Sequence, residues 1–89
     1  MVTTHDQVAQ WMLAELKRVK YLYQETAVVD IASKFGDTFT YYNDNVNLAI
    51  DKKVLAAFRR LTGDSVIWER GERMWRFREE YDEPGRQQN

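Results

Sequence analysis

Residues 65–78, with the sequence SVIWERGERMWRFR, decide the fold of this chain. On each side of Arg70 and Gly71, β-branched and aromatic residues alternate with polar ones. Such alternation around a glycine-containing pair predicts two antiparallel strands joined by a tight turn. We therefore expect a β-hairpin in this part of the chain.

The register of this hairpin depends on the length of its loop. A two-residue loop at Arg70 and Gly71 gives the cross-strand pairs Glu69 with Glu72, Trp68 with Arg73 and Val66 with Trp75. Both tryptophans then share one face with Val66 and Phe77. The pairing of two glutamates counts against this register, whereas a three-residue loop would divide the tryptophans between the two faces. We prefer the two-residue loop.

The residues that precede the hairpin begin with a helix and a short strand. Thr4 and Gln7 have the spacing of a capping box ahead of a helical apolar pattern. This spacing predicts a first helix that ends near Val19 or Lys20. The β-prone run Tyr21–Tyr23 follows at once and is too short for a helix. We interpret it as a short strand or an extended link.

Two further helices complete the predicted elements. Apolar residues at helical spacing predict a second helix over residues 26–35, with Gly36 as its cap. The Asx-rich residues 37–47 favour turns, and Phe39, Tyr41 and Val46 among them predict a loop packed partly on the core. Asp51 is a suitable N-cap for a third helix that ends near Thr62, before Gly63. The apolar stripe expected on this helix comprises Ile50, Val54, Phe58 and Leu61.

These elements predict an α+β fold of three helices, a short strand and a C-terminal β-hairpin. A chain of 89 residues buries about 60 to 65% of its unfolded surface and has room for one core. Without cysteine, it relies on aromatic area, so we expect the tryptophans inside. The prediction is one domain over residues 1–78 and an acidic, polar tail over residues 79–89.

Catalytic and metal-binding functions find no support in the composition. The single histidine, His5, has no cysteine and no second histidine beside it for a transition metal. Ser33 and Ser65 lack a base, and four scattered glycines form no phosphate-binding loop. The carboxylates at positions 79, 80, 82 and 83 lie on a polar segment instead of in a desolvated cleft. We expect no enzyme, no cofactor and no small-molecule substrate.

Residues 1–20 alternate apolar and charged groups and contain no long apolar run. Neither a signal peptide nor a membrane span fits this pattern. The expectation is therefore a cytoplasmic protein that does not enter a membrane.

The charge is unevenly distributed, although its sum is only −1. Residues 1–51 carry four basic and seven acidic side chains, residues 52–78 carry eight and three, and residues 79–89 carry one and four. A concentration of cations in one stretch is the electrostatic signature expected of a polyanion-binding surface. The candidate contacts are Lys52, Lys53, Arg59, Arg60, Arg70 and Arg73, with Arg76 and Arg78 further along the hairpin.

The third helix directs part of this charge outward. With about 100° per residue, Lys52, Ala56 and Arg59 lie nearly opposite Val54, the centre of the apolar stripe. Lys53 and Arg60 flank the same face. A small residue among cations allows close approach to a phosphate backbone, and the same pattern also suits an ordinary solvated surface.

The order helix, short strand, helix, turn, helix, hairpin over residues 5–78 resembles the winged-helix variant of the helix-turn-helix fold. This resemblance implies that residues 51–62 form the recognition helix and that Arg70-Gly71 is the tip of the wing. The turn of about a dozen residues between the second and third helices is long for that family. Four stretches, residues 35–37, 47–53, 68–73 and 81–86, also resemble a small bacterial family of uncharacterised proteins of about this length.

Two functions are compatible with these features. The first is nucleic-acid binding through the third helix and the hairpin. The second is a protein-interaction or homodimerisation module without nucleic-acid binding, which uses exposed aromatics such as Tyr41 and Tyr42 or a hairpin edge. The net charge near zero and the surplus of aromatic residues favour the second as much as the basic stretch favours the first.

Overall fold

A computed structural model describes residues 3–80, 82 and 87–88 of the chain. The fold is α+β, as predicted, with three helices, a short strand and a hairpin after the last helix. In chain order the elements are α1 (His5–Val19), β1 (Tyr21–Tyr23), α2 (Gln24–Phe35), a 3-10 turn (Asp37–Phe39), β2 (Thr40–Tyr42), β3 (Leu48–Ile50), α3 (Lys52–Thr62), β4 (Val66–Glu69), β5 (Met74–Phe77) and β6 (Gln87–Gln88).

The helix ends follow the local capping signals. The Thr4 hydroxyl accepts a hydrogen bond from the Gln7 N–H at 3.1 Å, and the Gln7 side chain accepts one from the Thr4 N–H at 2.8 Å. The predicted capping box is therefore confirmed. Asp51 caps α3 by accepting a hydrogen bond from the Lys53 N–H at 2.7 Å. Gly36 ends α2 with a φ of 82°, a conformation that favours a residue without Cβ.

The segment between α2 and α3 differs from the loop predicted for it. It contains the 3-10 turn and a two-stranded antiparallel sheet of β2 and β3. Each strand has three residues, too few to show a period in the sequence. The Asx residues predicted as turn formers do form the connection, since the Asn43 side chain accepts hydrogen bonds from the Asn45 and Asn47 N–H groups, each at 3.0 Å.

The larger sheet has the strand order β1-β5-β4-β6. β5 pairs antiparallel with both β1 and β4, and β6 pairs parallel with β4. The central position of β5 brings the short strand after α1 into the same sheet as the hairpin. The sheet therefore connects the beginning and the end of the described chain.

The predicted two-residue loop of the hairpin is wrong. Trp68 lies opposite Trp75 and Glu69 lies opposite Met74, so the loop has four residues, 70–73. This register removes Glu72 from the ladder and avoids the like-charge pair that the shorter loop would impose. The shift equals two residues, so both tryptophans still share the face that carries Val66 and Phe77, as predicted.

The core lies between this face of the sheet and the helices. The Phe58 ring of α3 meets the Trp75 ring edge-on at a centroid distance of 5.5 Å, and Trp75 lies 4.7 Å from Trp68. Trp75 is buried and Trp68 half-buried, which confirms the prediction that they pack inside. The fully buried side chains of this core include Val8, Met12, Leu16, Ile31, Ile50, Val54, Phe58 and Val66.

Leu61 does not belong to this core, contrary to the predicted stripe of α3. It is 43% exposed, whereas Ala57 and Thr62 are buried. Leu61 lines an open groove beside Ala9 and Gln10 of α1. Thr62, in contrast, turns inward and donates its hydroxyl to the Phe58 carbonyl at 2.8 Å.

The different environments of Phe58 and Leu61 predict different costs of truncation. Phe58→Ala removes a buried ring and leaves a cavity, so we expect a loss of about 3 to 5 kcal/mol in the free energy of unfolding. Leu61→Ala on the same helix should cost about 1 kcal/mol or less. Urea denaturation followed by circular dichroism measures both values. Equal losses for the two variants would contradict this assignment of the core.

Candidate nucleic-acid interface

The outer face of α3 carries the cations predicted for it. The side chains of Lys52, Lys53, Arg59 and Arg60 are all exposed, and so is Ala56 among them. They lie outward because Val54, Ala57 and Phe58 occupy the buried face of the same helix. No acidic residue interrupts α3 between its N-cap and its end. The result is a basic stripe about three turns long.

Ion pairs distinguish the four cations of the stripe. The Arg60 guanidinium lies 3.6 Å from the Asp6 carboxylate of α1, and both side chains are largely exposed. Within the described part of the chain, Lys52, Lys53 and Arg59 have no carboxylate within 4.0 Å. An exposed pair such as Arg60–Asp6 contributes little to stability and is weakened by salt. Three cations of the stripe are thus available to an external anion.

The hairpin loop presents two more cations. Arg70 and Arg73 are exposed, and neither has an ion pair among the residues described. The loop is held to the body of the protein by its backbone, since the Arg73 carbonyl accepts a hydrogen bond from the Gln24 N–H at 3.0 Å. This contact also satisfies one of the amide groups that the start of α2 leaves without an intrahelical partner.

The two remaining arginines of the hairpin have protein partners. The side chain of Arg76 is only 11% exposed and contacts the carboxylates of both Glu69 and Asp82. Its two terminal nitrogens donate to the two oxygens of Asp82 at 2.7 and 2.9 Å, a bidentate geometry. Arg78 donates to the Asp64 carbonyl at 2.6 Å. Because of these contacts, Arg76 and Arg78 are less available to an external anion than the other basic residues of the stretch 52–78.

Strand alternation places Arg76 on the face of the sheet away from the main core, and the side chains of Glu69 and Asp82 contact it there. Trp75 and Phe77 face the core, so Arg76 between them lies on the other face of the sheet, opposite Ile67. A buried guanidinium needs carboxylate partners to offset the cost of its desolvation. One partner, Asp82, comes from the acidic segment after the hairpin. The sequence shows that Arg76 lies within a strand and that acidic residues follow the hairpin. It does not show that Asp82 contacts Arg76.

Two described parts of segment 79–89 contact the sheet. The Asp82 side chain is 4% exposed, and β6 continues the sheet beyond β4. Residues 81, 83–86 and 89 lie outside the described residues. Neither of the two contacts involves α3. The described part of this acidic segment therefore leaves the basic stripe uncovered.

The other residues considered for chemistry have structural surroundings. His5 packs its ring edge-on against Phe39 at 5.3 Å and lies 3.9 Å from the Asp51 carboxylate. Ser65 donates its hydroxyl to the Thr62 carbonyl at 2.6 Å. Ser33, Glu79 and Glu80 are exposed, and Glu83 lies outside the described residues. Among the residues that the structure describes, no three His, Cys, Asp or Glu side chains form a group able to hold a metal ion.

Tyr41 and Tyr42, named as candidate protein contacts, lie on β2. Both are exposed, Tyr42 at 70%. Val46, in the turn between β2 and β3, is 76% exposed, so the prediction that it packs on the core is wrong, whereas Phe39 is buried as predicted. The exposed residues of this hairpin form a second candidate surface.

The geometry defines a small α+β domain with a basic helix face. Residues 4–77 match a family of unknown function, DUF6953, and the chain belongs to this family. Neither a comparison with curated proteins nor one with solved structures gives a match. In the described part of the chain, no helix combines the length and apolar character needed to cross a membrane.

The contact between Arg76 and Asp82 predicts a dependence of stability on pH. The hydrogen bonds from Arg76, together with that from the Glu79 N–H, lower the pKa of Asp82 from its usual 3.8 to about 2. A carboxylate with a lowered pKa stabilises the fold fully above its usual pKa, and this stabilisation is lost as the pH falls through the lowered value. The loss therefore falls between about pH 4 and pH 2.

The variant Asp82→Asn tests this dependence. We expect the variant to have a lower urea midpoint than the wild type at pH 7, and the difference should shrink as the pH falls from 4 to 2. Asp44→Asn serves as the control, because Asp44 is exposed and has no ion pair among the described residues. Equal midpoints of Asp82→Asn and wild type at neutral pH would contradict the stabilising role of this contact.

Proposed function

We propose that this protein is a winged-helix-like nucleic-acid-binding module, with α3 as the recognition helix and the loop 70–73 as the wing. The observation that carries the proposal is the outer face of α3. Lys52, Lys53 and Arg59 project from it without a carboxylate partner in the described chain. Phosphate groups are the ligands that such exposed cations bind along a helix.

The order of the elements supports the winged-helix part of the proposal. The winged-helix resemblance implies a short strand after the first helix and a hairpin after the third. β1 follows α1 and pairs with β5, the second strand of the hairpin after α3. The β2–β3 sheet occupies the turn between the second and third helices, which accounts for the unusual length of that turn.

The charge distribution supports phosphate contacts as the main source of affinity. Recognition of individual bases is not part of this proposal. The candidate contacts are two lysines and two arginines on α3 and the two arginines of the loop, namely Lys52, Lys53, Arg59, Arg60, Arg70 and Arg73. Binding through lysine and arginine to phosphate releases counterions and weakens as salt rises. The net charge of −1 keeps the long-range attraction modest, so low salt is the condition under which to look for binding.

Charge reversal on α3 tests the proposal. Fluorescence anisotropy with a labelled random-sequence duplex at low salt should show binding by the wild type at micromolar protein. The double variant Lys52→Glu with Arg59→Glu should bind much more weakly. For residual binding, the slope of log affinity against log salt should fall by about 2 in magnitude, because two phosphate contacts are lost.

The matched control is Lys17→Glu with Lys34→Glu. It changes the net charge by the same amount on the exposed faces of α1 and α2. We expect it to reduce affinity slightly and to leave the salt slope unchanged, since it removes no phosphate contact. No binding by the wild type, or equal losses in the two double variants, would refute α3 as the nucleic-acid interface.

A further inference from the structure

The turn between β2 and β3 exposes an apolar side chain on a strained backbone. Val46 is 76% exposed and has a φ of 60°. A β-branched residue in this region is an outlier, because its Cβ substituents crowd the backbone, whereas Asn tolerates the same conformation. An exposed valine at such a position gains nothing from burial in its own chain. A strained backbone that serves no packing within the chain motivates the hypothesis that Val46 makes a contact outside it.

The turn is held in one shape by its own hydrogen bonds. Asn43 accepts from Asn45 and Asn47 through its side chain, and its N–H donates to the Asn47 carbonyl at 2.9 Å. The Val46 N–H donates to the Asn43 carbonyl at 2.8 Å. A pre-organised turn loses little conformational freedom when it binds. Val46 is thus presented as a fixed apolar knob, with Asp44 two residues before it.

A second groove, between the start of α1 and the cationic side of α3, combines one small apolar residue, Ala56, with charged side chains. Its lining comprises Thr4, His5, Asp6, Lys53, Ala56 and Arg60, and its volume is about 330 Å³. Since a water molecule occupies about 30 Å³ of liquid, the groove has room for a branched apolar side chain. Asp6 lies beside Arg60, which leaves Lys53 as a cation of the groove without a carboxylate partner among the described residues.

We infer that the β2–β3 turn of one copy of this protein docks in the α1–α3 groove of a second copy. Val46 enters the groove above Ala56, and Asp44 faces Lys53. Charge complementarity identifies the occupant: the turn over residues 43–47 contains an aspartate and no lysine or arginine, whereas the charged side chains of α3 are all cations. Opposite charges at a contact guide the encounter and exclude other orientations.

The knob and the groove are different parts of one surface, so each copy offers one of each. Such a heterologous contact adds further copies unless two copies exchange both contacts at once. The contact area is small, and association at this size is weak. Sedimentation velocity from low micromolar to near-millimolar protein should therefore show an average mass that rises with concentration.

The substitution Val46→Asn separates docking from folding. Asn suits the positive φ, so the variant should unfold at the same urea concentration as the wild type or a higher one. It should nevertheless raise the dissociation constant for self-association about tenfold or more, because the apolar knob is lost. Val29→Asn is the matched control at another exposed valine, on α2, and should leave association unchanged.

Charge reversal identifies the two partners of the contact. Asp44→Lys and Lys53→Glu should each abolish association in isolation, since each places like charges across the contact. An equimolar mixture of the two variants restores opposite charges at both possible contacts and should associate as the wild type does. This rescue is not expected if the knob binds any site other than the groove at Lys53.

Three results would overturn the inference: a wild type that stays monomeric at all concentrations, equal association of Val46→Asn and wild type, or no rescue in the mixture. These measurements contain no nucleic acid, so their failure leaves the proposed nucleic-acid binding untouched. Conversely, a chain that self-associates and binds no duplex would retain the contact and lose the proposed function. The two outcomes are thus distinguishable.

Discussion

The edge-on contact between Phe58 and Trp75 joins α3 to the centre of the sheet, and the position of the basic stripe depends on it. It fixes the rotation of α3 about its axis, because Phe58 must point at β5. With this side of the helix buried, the helical period of about 3.6 residues turns Lys52 and Arg59 to the opposite side. The basic stripe is therefore a geometric consequence of core packing. A change in the packing of Phe58 would rotate the cations as well.

The strand alternation that directs Trp75 into the core directs Arg76 to the other face of the sheet. Arg76 is nearly buried there, so its charge needs carboxylate partners. Glu69 on the neighbouring strand and Asp82 after the hairpin provide the carboxylates. Burial of a guanidinium with two carboxylates removes its charge from the surface potential. The excess positive charge of residues 52–78 is consequently concentrated on α3 and the loop 70–73. The acidic segment, as far as it is described, neutralises the sheet instead of the stripe.

Features encoded by neighbouring residues could be predicted from the sequence, and features set by distant contacts could not. The capping box of Thr4, the N-cap of Asp51 and the outward cations of α3 all follow from local spacing. The predicted length of the hairpin loop was wrong. The actual loop includes Arg73, whose carbonyl accepts a hydrogen bond from the N–H of Gln24 at the start of α2, a contact that is distant in sequence. The ion pairs of the basic residues could not be predicted from the sequence either. Helical or strand periodicity places a side chain on a face of its element, but it does not show which carboxylate lies opposite. The strands β2 and β3 have three residues each, so no period could identify them.

The two proposals assign different ligands to overlapping parts of one helix face. Lys53 lies both in the basic stripe and in the groove that receives the turn of a second copy. One ammonium group faces one partner at a time, so nucleic acid and a second copy exclude each other at this position. Mutually exclusive binding is competitive: each ligand lowers the apparent affinity of the other to an extent that rises with its own concentration. Self-association would then regulate access to α3 through protein concentration, without a conformational change in the fold.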